Sequence, residues 1–173
     1  MDNRTRFNER KTELLLEYLN QNKRAVRGKK IVTASLYTIL LLRTALTLFE
    51  IPVFIIQGKP VNLTAIILFI PLLFVLRVIA GGAKGFTYVI LVSSTARLIA
   101  YFALVYKTMP QDSFTEIYSF ILFAVLMIQF FLSLLLLISY DCDTYFTALQ
   151  RITIKVQGEE LLRKKEEQDG NQA

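Results

Sequence analysis

The sequence contains no histidine and a single cysteine, Cys142. Without histidine the chain lacks the commonest general base, the commonest metal ligand and the usual haem ligand. One cysteine permits no internal disulfide and no paired-cysteine metal motif. The serines and threonines therefore have no neighbouring base of the kind that activates a nucleophile, and the apolar regions contain no paired carboxylates. We expect a protein that is not an enzyme and that holds no metal or cofactor.

Charge is scarce across the middle of the chain, where four long apolar blocks follow one another. Hydrophobic residues make up 54% of the sequence and the mean hydropathy is +0.45, which is more apolar than a soluble domain of 173 residues needs. Each block is about long enough to cross a hydrocarbon core of roughly 30 Å as a helix. The sequence predicts an all-α integral membrane protein with a four-transmembrane-helix bundle. Its predicted spans are residues 31–57, 61–80, 86–106 and 116–140.

The two ends of the chain flank this transmembrane domain of residues 31–140. Residues 1–30 form a basic segment with helix-forming composition, and we predict an amphipathic cytoplasmic helix. That helix either lies on the inner membrane surface or packs as a solvated helix against a neighbour, and both readings stay open. Residues 141–173 form a charged cytoplasmic tail, in which apolar residues near helical spacing predict a second amphipathic helix. Within the spans, Pro52 and Pro71 predict kinks.

The positive charges predict the orientation of the chain in the membrane. The net charge is +6, and most of the excess lies at the N-terminal end. By contrast, the only positive charges in the loops after the first and third predicted spans are Lys59 and Lys107. The positive-inside rule then places both termini in the cytoplasm. We expect the protein in the cell (plasma) membrane, with its basic residues at the anionic headgroups of the cytoplasmic face, and we expect no nucleic-acid partner. The residues predicted to contact that surface are Arg10, Lys11, Lys23, Arg24, Arg27, Lys29, Lys30, Arg77 and Lys84.

Two arginines interrupt the apolar blocks near the predicted midplane. Arg43 lies in the first span and Arg97 in the third, each about a dozen residues from the inner end. An arginine at the centre of a spanning helix costs about 2.5–3.5 kcal/mol on the insertion scale, so neither is expected to face lipid. Thr47 and Glu50 follow Arg43 along nearly the same helix face. This places a threonine and a carboxylate beside the first arginine.

A second polar stripe is predicted on the third span. It consists of Ser93, Arg97 and Tyr101, and Gln129 is the strongly polar residue inside the fourth span. The candidate site for contact with a ligand, an ion or a partner is therefore the set Arg43, Thr47, Glu50, Ser93, Arg97, Tyr101 and Gln129.

Three interpretations of this set remain open. Glu50 can pair with an arginine in a structural ion-pair network. The second interpretation starts from the excess of one positive charge over the single carboxylate, which a partner helix with an acidic residue would neutralise. The third is that an anion or a lipid phosphate does so, because guanidinium groups suit both.

These alternatives lead to two hypotheses about function. The first is a small transporter or channel component, assembled from several copies because four helices enclose little room. The second is a non-transporting accessory, regulatory or immunity-type subunit, whose buried charges pair with another membrane protein. Both hypotheses imply that the chain works as a homo-oligomer or with a membrane protein partner.

Overall fold

The described part of the chain is helical throughout. The computed structural model describes the backbone of residues 3–56, 63–105 and 113–170, and the side chains of residues 5–49, 70–103 and 117–165. A 3₁₀ turn at Lys84–Phe86 leads into the fourth helix, and a π-helical turn at Tyr101–Val105 follows it. The α-helices are α1 (Asn3–Gln21), α2 (Lys23–Ile56), α3 (Leu63–Ala80), α4 (Thr87–Ala100), α5 (Ser113–Ile138) and α6 (Tyr140–Gly170).

Three helical segments of the described residues are long and apolar enough to cross a membrane. They are Lys23–Phe49, Lys84–Ala103 and Ile117–Ile138. The all-helical fold and three apolar spans are therefore confirmed. The predicted second span corresponds to α3, in which the described stretch Ile70–Ala80 is apolar but short. Residues 57–62 lie outside the described chain, and a four-helix membrane bundle stays a prediction.

The first long helix begins well before its apolar block. Asn22 separates α1 from α2, and its side-chain oxygen accepts hydrogen bonds from the backbone N–H groups of Arg24 at 3.1 Å and Ala25 at 3.2 Å. These bonds cap α2, because the first turn of a helix has N–H groups without partners in the helix. The helix α2 therefore runs without interruption across residue 30, where the transmembrane domain was predicted to begin. Pro52 lies inside α2, and the helix continues through it to Ile56.

The fourth apolar block, α5, is packed on two sides. It lies against both α2 and α4, while α3 also contacts α2 and α4. Val125, Leu126 and Leu136 of α5 are buried, and Phe120 and Phe131 are exposed on its other side. The uniform apolarity of this helix does not reveal from the sequence which of its sides packs. In the structure α5 joins the two arginine-bearing helices.

The largest core lies where α2 begins, α3 ends, α4 begins and α5 ends, which we call the basic end of the bundle. Here α6 packs against both α2 and α1. In the structure α1 packs on a neighbouring helix, which is the second of the two interpretations given for the N-terminal segment. The core there includes Leu19, Val32, Ile39, Ile79, Leu136, Phe146 and Leu149.

Candidate functional site

The α2 part of the predicted site has its hydroxyl groups bonded to its own helix. The Thr47 hydroxyl donates a 2.9 Å hydrogen bond to the carbonyl of Arg43, and the Thr44 hydroxyl donates similarly to Leu40 at 2.9 Å. Such bonds satisfy a hydroxyl group without a partner from another helix. Arg43 is half-buried. The side chain of Glu50 lies outside the described residues, so its pairing with an arginine stays a prediction.

On α4, the buried face is formed by Thr87, Ile90 and Ser94. Ser93, which the sequence placed in the polar stripe, is exposed, whereas Ser94 is only 2% exposed. The two serines point about 100° apart because successive residues of an α-helix differ by that angle. The sequence alone offered no signal to choose between adjacent serines, and Ser94 was missed.

Arg97 lies at the border between the buried and the exposed faces of α4. It is half-buried, while Ser93, Ala96, Ala100 and Ala103 beside it are exposed. We call these four small residues the small-residue face. Among the side chains that the structure describes, no carboxylate forms an ion pair with Arg97. A guanidinium in an apolar helix of membrane-spanning length thus borders a face with several small side chains.

Tyr101 connects the π-helical turn to α5. Its hydroxyl and that of Ser119 form a 2.6 Å hydrogen bond, and its ring lies 5.5 Å from the ring of Phe123 between centroids. Ser119 is buried. A hydrogen bond between two hydroxyls satisfies both groups in an apolar environment, where an unpaired hydroxyl would be costly. The predicted residue Tyr101 is thereby a contact between helices, and Ser119 is a partner that sequence reasoning missed.

Gln129 lies inside the bundle, as its isolation in an apolar helix suggested. It is 3% exposed, and the fully buried Ser133 donates a 2.8 Å hydrogen bond to its backbone carbonyl. Both residues share a face of α5 with Leu126 and Leu136, at spacings of three and four. This face packs into the bundle.

The members of the predicted set lie on three helices that pack against one another. Tyr101 bonds to α5 and Gln129 is buried on α5, whereas Arg43 and Arg97 lie on α2 and α4, which each pack against α5. That the whole set forms one polar centre stays a prediction.

At the basic end, two ion pairs hold α6. Arg27 of α2 lies 3.2 Å from Asp141, and Lys84 lies 2.7 Å from Asp143. Gly82, in the turn before Lys84, has φ +107°, a conformation that favours glycine. Its carbonyl accepts a 3.2 Å hydrogen bond from the side chain of Gln150. The start of α6 is therefore bonded both to α2 and to the turn between α3 and α4.

Other cations predicted to contact the membrane also have protein partners. Arg10 lies 2.8 Å from Glu13 and 3.6 Å from Glu159 of α6, and the Arg24 guanidinium lies 5.4 Å from the centroid of the Tyr140 ring. Partial burial lowers the pKa of Lys11. Lys11 and Lys84 of the set are half-buried, and its exposed residues are Arg10, Lys23, Arg24, Arg27, Lys29, Lys30 and Arg77.

Comparison with known proteins identifies no relative: no family model, curated protein or solved structure matches this chain.

Proposed function

We propose that this chain is a non-enzymatic subunit of a membrane protein assembly, in which α4 binds a transmembrane helix of another protein. Arg97 carries the proposal. It lies in an apolar span, borders the exposed small-residue face, and has no ion pair with a described carboxylate. A charge in the membrane is retained at a cost, and its usual compensation is a partner of opposite charge. The partner helix would supply an aspartate or glutamate at that depth.

The small-residue face supports this arrangement sterically. Transmembrane helices associate through close packing and hydrogen bonds, because lipid provides no hydrophobic drive between them. Ser93, Ala96, Ala100 and Ala103 follow one another at spacings of three, four and three residues, and all are exposed. On α4 itself the three residues Ser93, Ala96 and Ala100 have a spacing that suits a left-handed helix pair, and Ala103 follows in the π-helical turn. Arg97 at the border of this face would fix the register of the partner.

The hydroxyl groups of the bundle favour a subunit over a conduit. The hydroxyls of Thr44, Thr47, Thr95 and Ser133 each donate to a carbonyl of their own helix, and Tyr101 bonds to Ser119. A hydroxyl that already donates its proton to a helix carbonyl is not free to donate it to a passing anion. The charged residue Arg97 instead borders the exposed small-residue face.

A transporter or channel component is the second candidate. Ser94, Gln129 and Ser133 are buried polar residues within packed helices, which is the kind of position where polar groups mark a substrate or ion path. In that case several copies would surround a path, and the occupant of the small-residue face would be a second copy. An anion or lipid phosphate would then neutralise Arg97.

A photoactivated cross-linker at Ala100 distinguishes the two candidates. Ala100 is exposed on the small-residue face, and Phe131 of α5 is an exposed control elsewhere on the bundle. In cell membranes, the subunit proposal expects Ala100, but not Phe131, to cross-link a different membrane protein. Arg97→Gln should abolish that product and Arg97→Lys should retain it. Cross-links to a second copy, together with anion flux in vesicles that Arg97→Gln alters, would instead establish the second candidate; cross-links to lipid alone with no flux would reject both.

A further inference from the structure

An exposed face of α6 between Arg151 and Lys165 combines apolar and basic side chains. Ile154, Leu161 and Leu162 are 68%, 69% and 66% exposed. At about 100° per residue, all three lie within roughly 60° of Gly158 around the helix axis. A Cβ atom built at Gly158 meets nothing within 4 Å, so the centre of this face is open. Large apolar side chains gathered on an open helix face indicate contact with an apolar phase or partner.

The charges on this face all have one sign. Arg151, Lys155 and Lys165 are exposed and also lie within roughly 60° of Gly158. The two carboxylates of the same stretch lie elsewhere: Glu159 is about 100° away, and Glu160 about 160° away. Glu159 is directed toward α1, where it lies 3.6 Å from Arg10. The face is therefore basic, and it complements an anionic surface.

The beginning of α6 lies at the ends of the apolar spans. Only Ser139 separates α6 from α5, whose apolar span ends at Ile138. Lys84, at the start of another apolar span, lies 2.7 Å from Asp143, and Gln150 donates to the carbonyl of Gly82. The first three turns of α6 are thus held against the ends of the spans. The open face begins at Arg151, directly after the last of these contacts.

We propose that the face from Arg151 to Lys165 binds the anionic lipid surface at the basic end of the bundle. The apolar side chains would enter the boundary between headgroups and acyl chains, and the three cations would contact lipid phosphates. The arrangement differs from the membrane contact predicted for the N-terminal cations, and it does not depend on the partner proposed for α4. Occupation of this face by a protein or by a second copy is the alternative outcome.

The test measures the depth of a fluorescent label at position 161 in the full chain. Cys142, the single native cysteine, is replaced in a Cys142→Ala background, and Leu161→Cys is labelled with a small environment-sensitive fluorophore. The protein is placed in nanodiscs of phosphatidylcholine alone or with phosphatidylglycerol. With the anionic lipid we expect quenching by the neutral aqueous quencher acrylamide to fall several-fold and quenching by a lipid-borne nitroxide to rise. Glu160→Cys, about 160° from Gly158, serves as a control whose quenching should not depend on the lipid.

The charge variant decides the identity of the occupant. Arg151→Gln, Lys155→Gln and Lys165→Gln together should remove the difference between the two lipids, while circular dichroism and elution volume confirm an unchanged fold. Equal acrylamide quenching of the Leu161 label in both lipids would overturn the proposal. Protection that persists in neutral lipid and in the charge variant would also overturn it, and would assign the face to a protein partner or a second copy.

Discussion

The backbone carbonyl of Asp141 lies against Gly28, so close that a Cβ atom on residue 28 would overlap it. The same turn of α2 carries Arg27, whose guanidinium lies 3.2 Å from the Asp141 carboxylate. Because Gly28 has no side chain and Arg27 pairs with Asp141, the backbones of α2 and α6 come into direct contact. This contact fixes where the C-terminal helix leaves the bundle.

Gly28→Ala is expected to destabilise the protein. The added methyl group would meet the Asp141 carbonyl, which is backbone and cannot rotate away, so α6 would have to shift. Overpacking of this kind costs about 1–3 kcal/mol. The midpoint of thermal unfolding in detergent measures the effect.

Gly158→Ala is the matched control for that substitution. Gly158 also lies within a helix, but its Cβ atom would meet nothing within 4 Å. Because alanine favours the helical conformation over glycine, stability should stay equal or rise by about 0.5–1 kcal/mol. Equal losses of stability in both variants would contradict the close contact between Gly28 and the Asp141 carbonyl.

Charge reversal at Lys84 and Asp143 tests the link between α6 and the turn before α4. Their charged atoms lie 2.7 Å apart, and the side chains are 27% and 52% exposed. Lys84→Asp or Asp143→Lys alone should lower the free energy of unfolding through like-charge repulsion, and the double variant should recover much of it. The coupling should be about 0.2–1 kcal/mol, and smaller at high salt, because the pair is partly exposed. Additive effects in the cycle would contradict an interaction between them.

Tyr101→Phe and Ser119→Ala test the hydroxyl pair between the π-helical turn and α5. Each single substitution leaves the other hydroxyl without its 2.6 Å partner, and Ser119 is buried. Each should destabilise by about 0.6 kcal/mol or somewhat more, the range typical of hydrogen bonds between membrane helices. The double variant should cost less than the sum, since it leaves neither group unpaired. Unfolding in mixed micelles by denaturing detergent measures all three.

Cys142 should be unreactive in the folded protein. Its side chain is fully buried, and this burial raises the pKa of the thiol. Since the thiolate is the reactive form, maleimide at neutral pH should modify it slowly until the chain is unfolded. Rapid modification of the folded protein would contradict the packing of α6 against α2.

The same thiol makes stability depend on alkaline pH. A raised pKa in the folded chain means that the unfolded chain releases the proton first. The contribution is present in full below the ordinary thiol pKa of about 8.5 and is lost as the pH rises toward the folded value. Cys142→Ala should flatten this part of the pH profile, and an unchanged slope would assign it to another group, such as Tyr145, whose pKa burial also raises.

Apolar length and helix-forming composition predicted the all-helical fold and four spans, and three apolar helices of membrane-spanning length are found among the described residues. Both signals are local, and they survive without knowledge of what packs where. The helix boundary at Asn22 was hidden because the cap depends on one amide side chain, whereas Gly28 and the adjacent lysines resembled a break. Gly28 instead serves a close approach to Asp141, a residue more than a hundred positions away. Long-range contacts of this kind leave no periodic trace in the sequence.

The sequence indicates which polar residues lie in the apolar helices, but not which side of the helix each of them occupies. The isolated Gln129 is buried and Tyr101 contacts a second helix, as polar groups in apolar spans usually must. To choose between Ser93 and Ser94, one must know which side of α4 is buried. That side contains Ile90, and α4 packs against α5. Asp141 and Asp143 each pair with a cation from a distant element. Pairing between elements could not be read from local spacing.

Native mass spectrometry of the protein extracted from its own membranes in nanodiscs tests the central claim most directly. The subunit proposal predicts a complex of this chain with a different membrane protein that has an acidic residue in a spanning helix. The complex should be lost in Arg97→Gln and kept in Arg97→Lys. A monomer, or an oligomer of this chain alone, that is the same in all three proteins would contradict the proposal that Arg97 binds a partner helix.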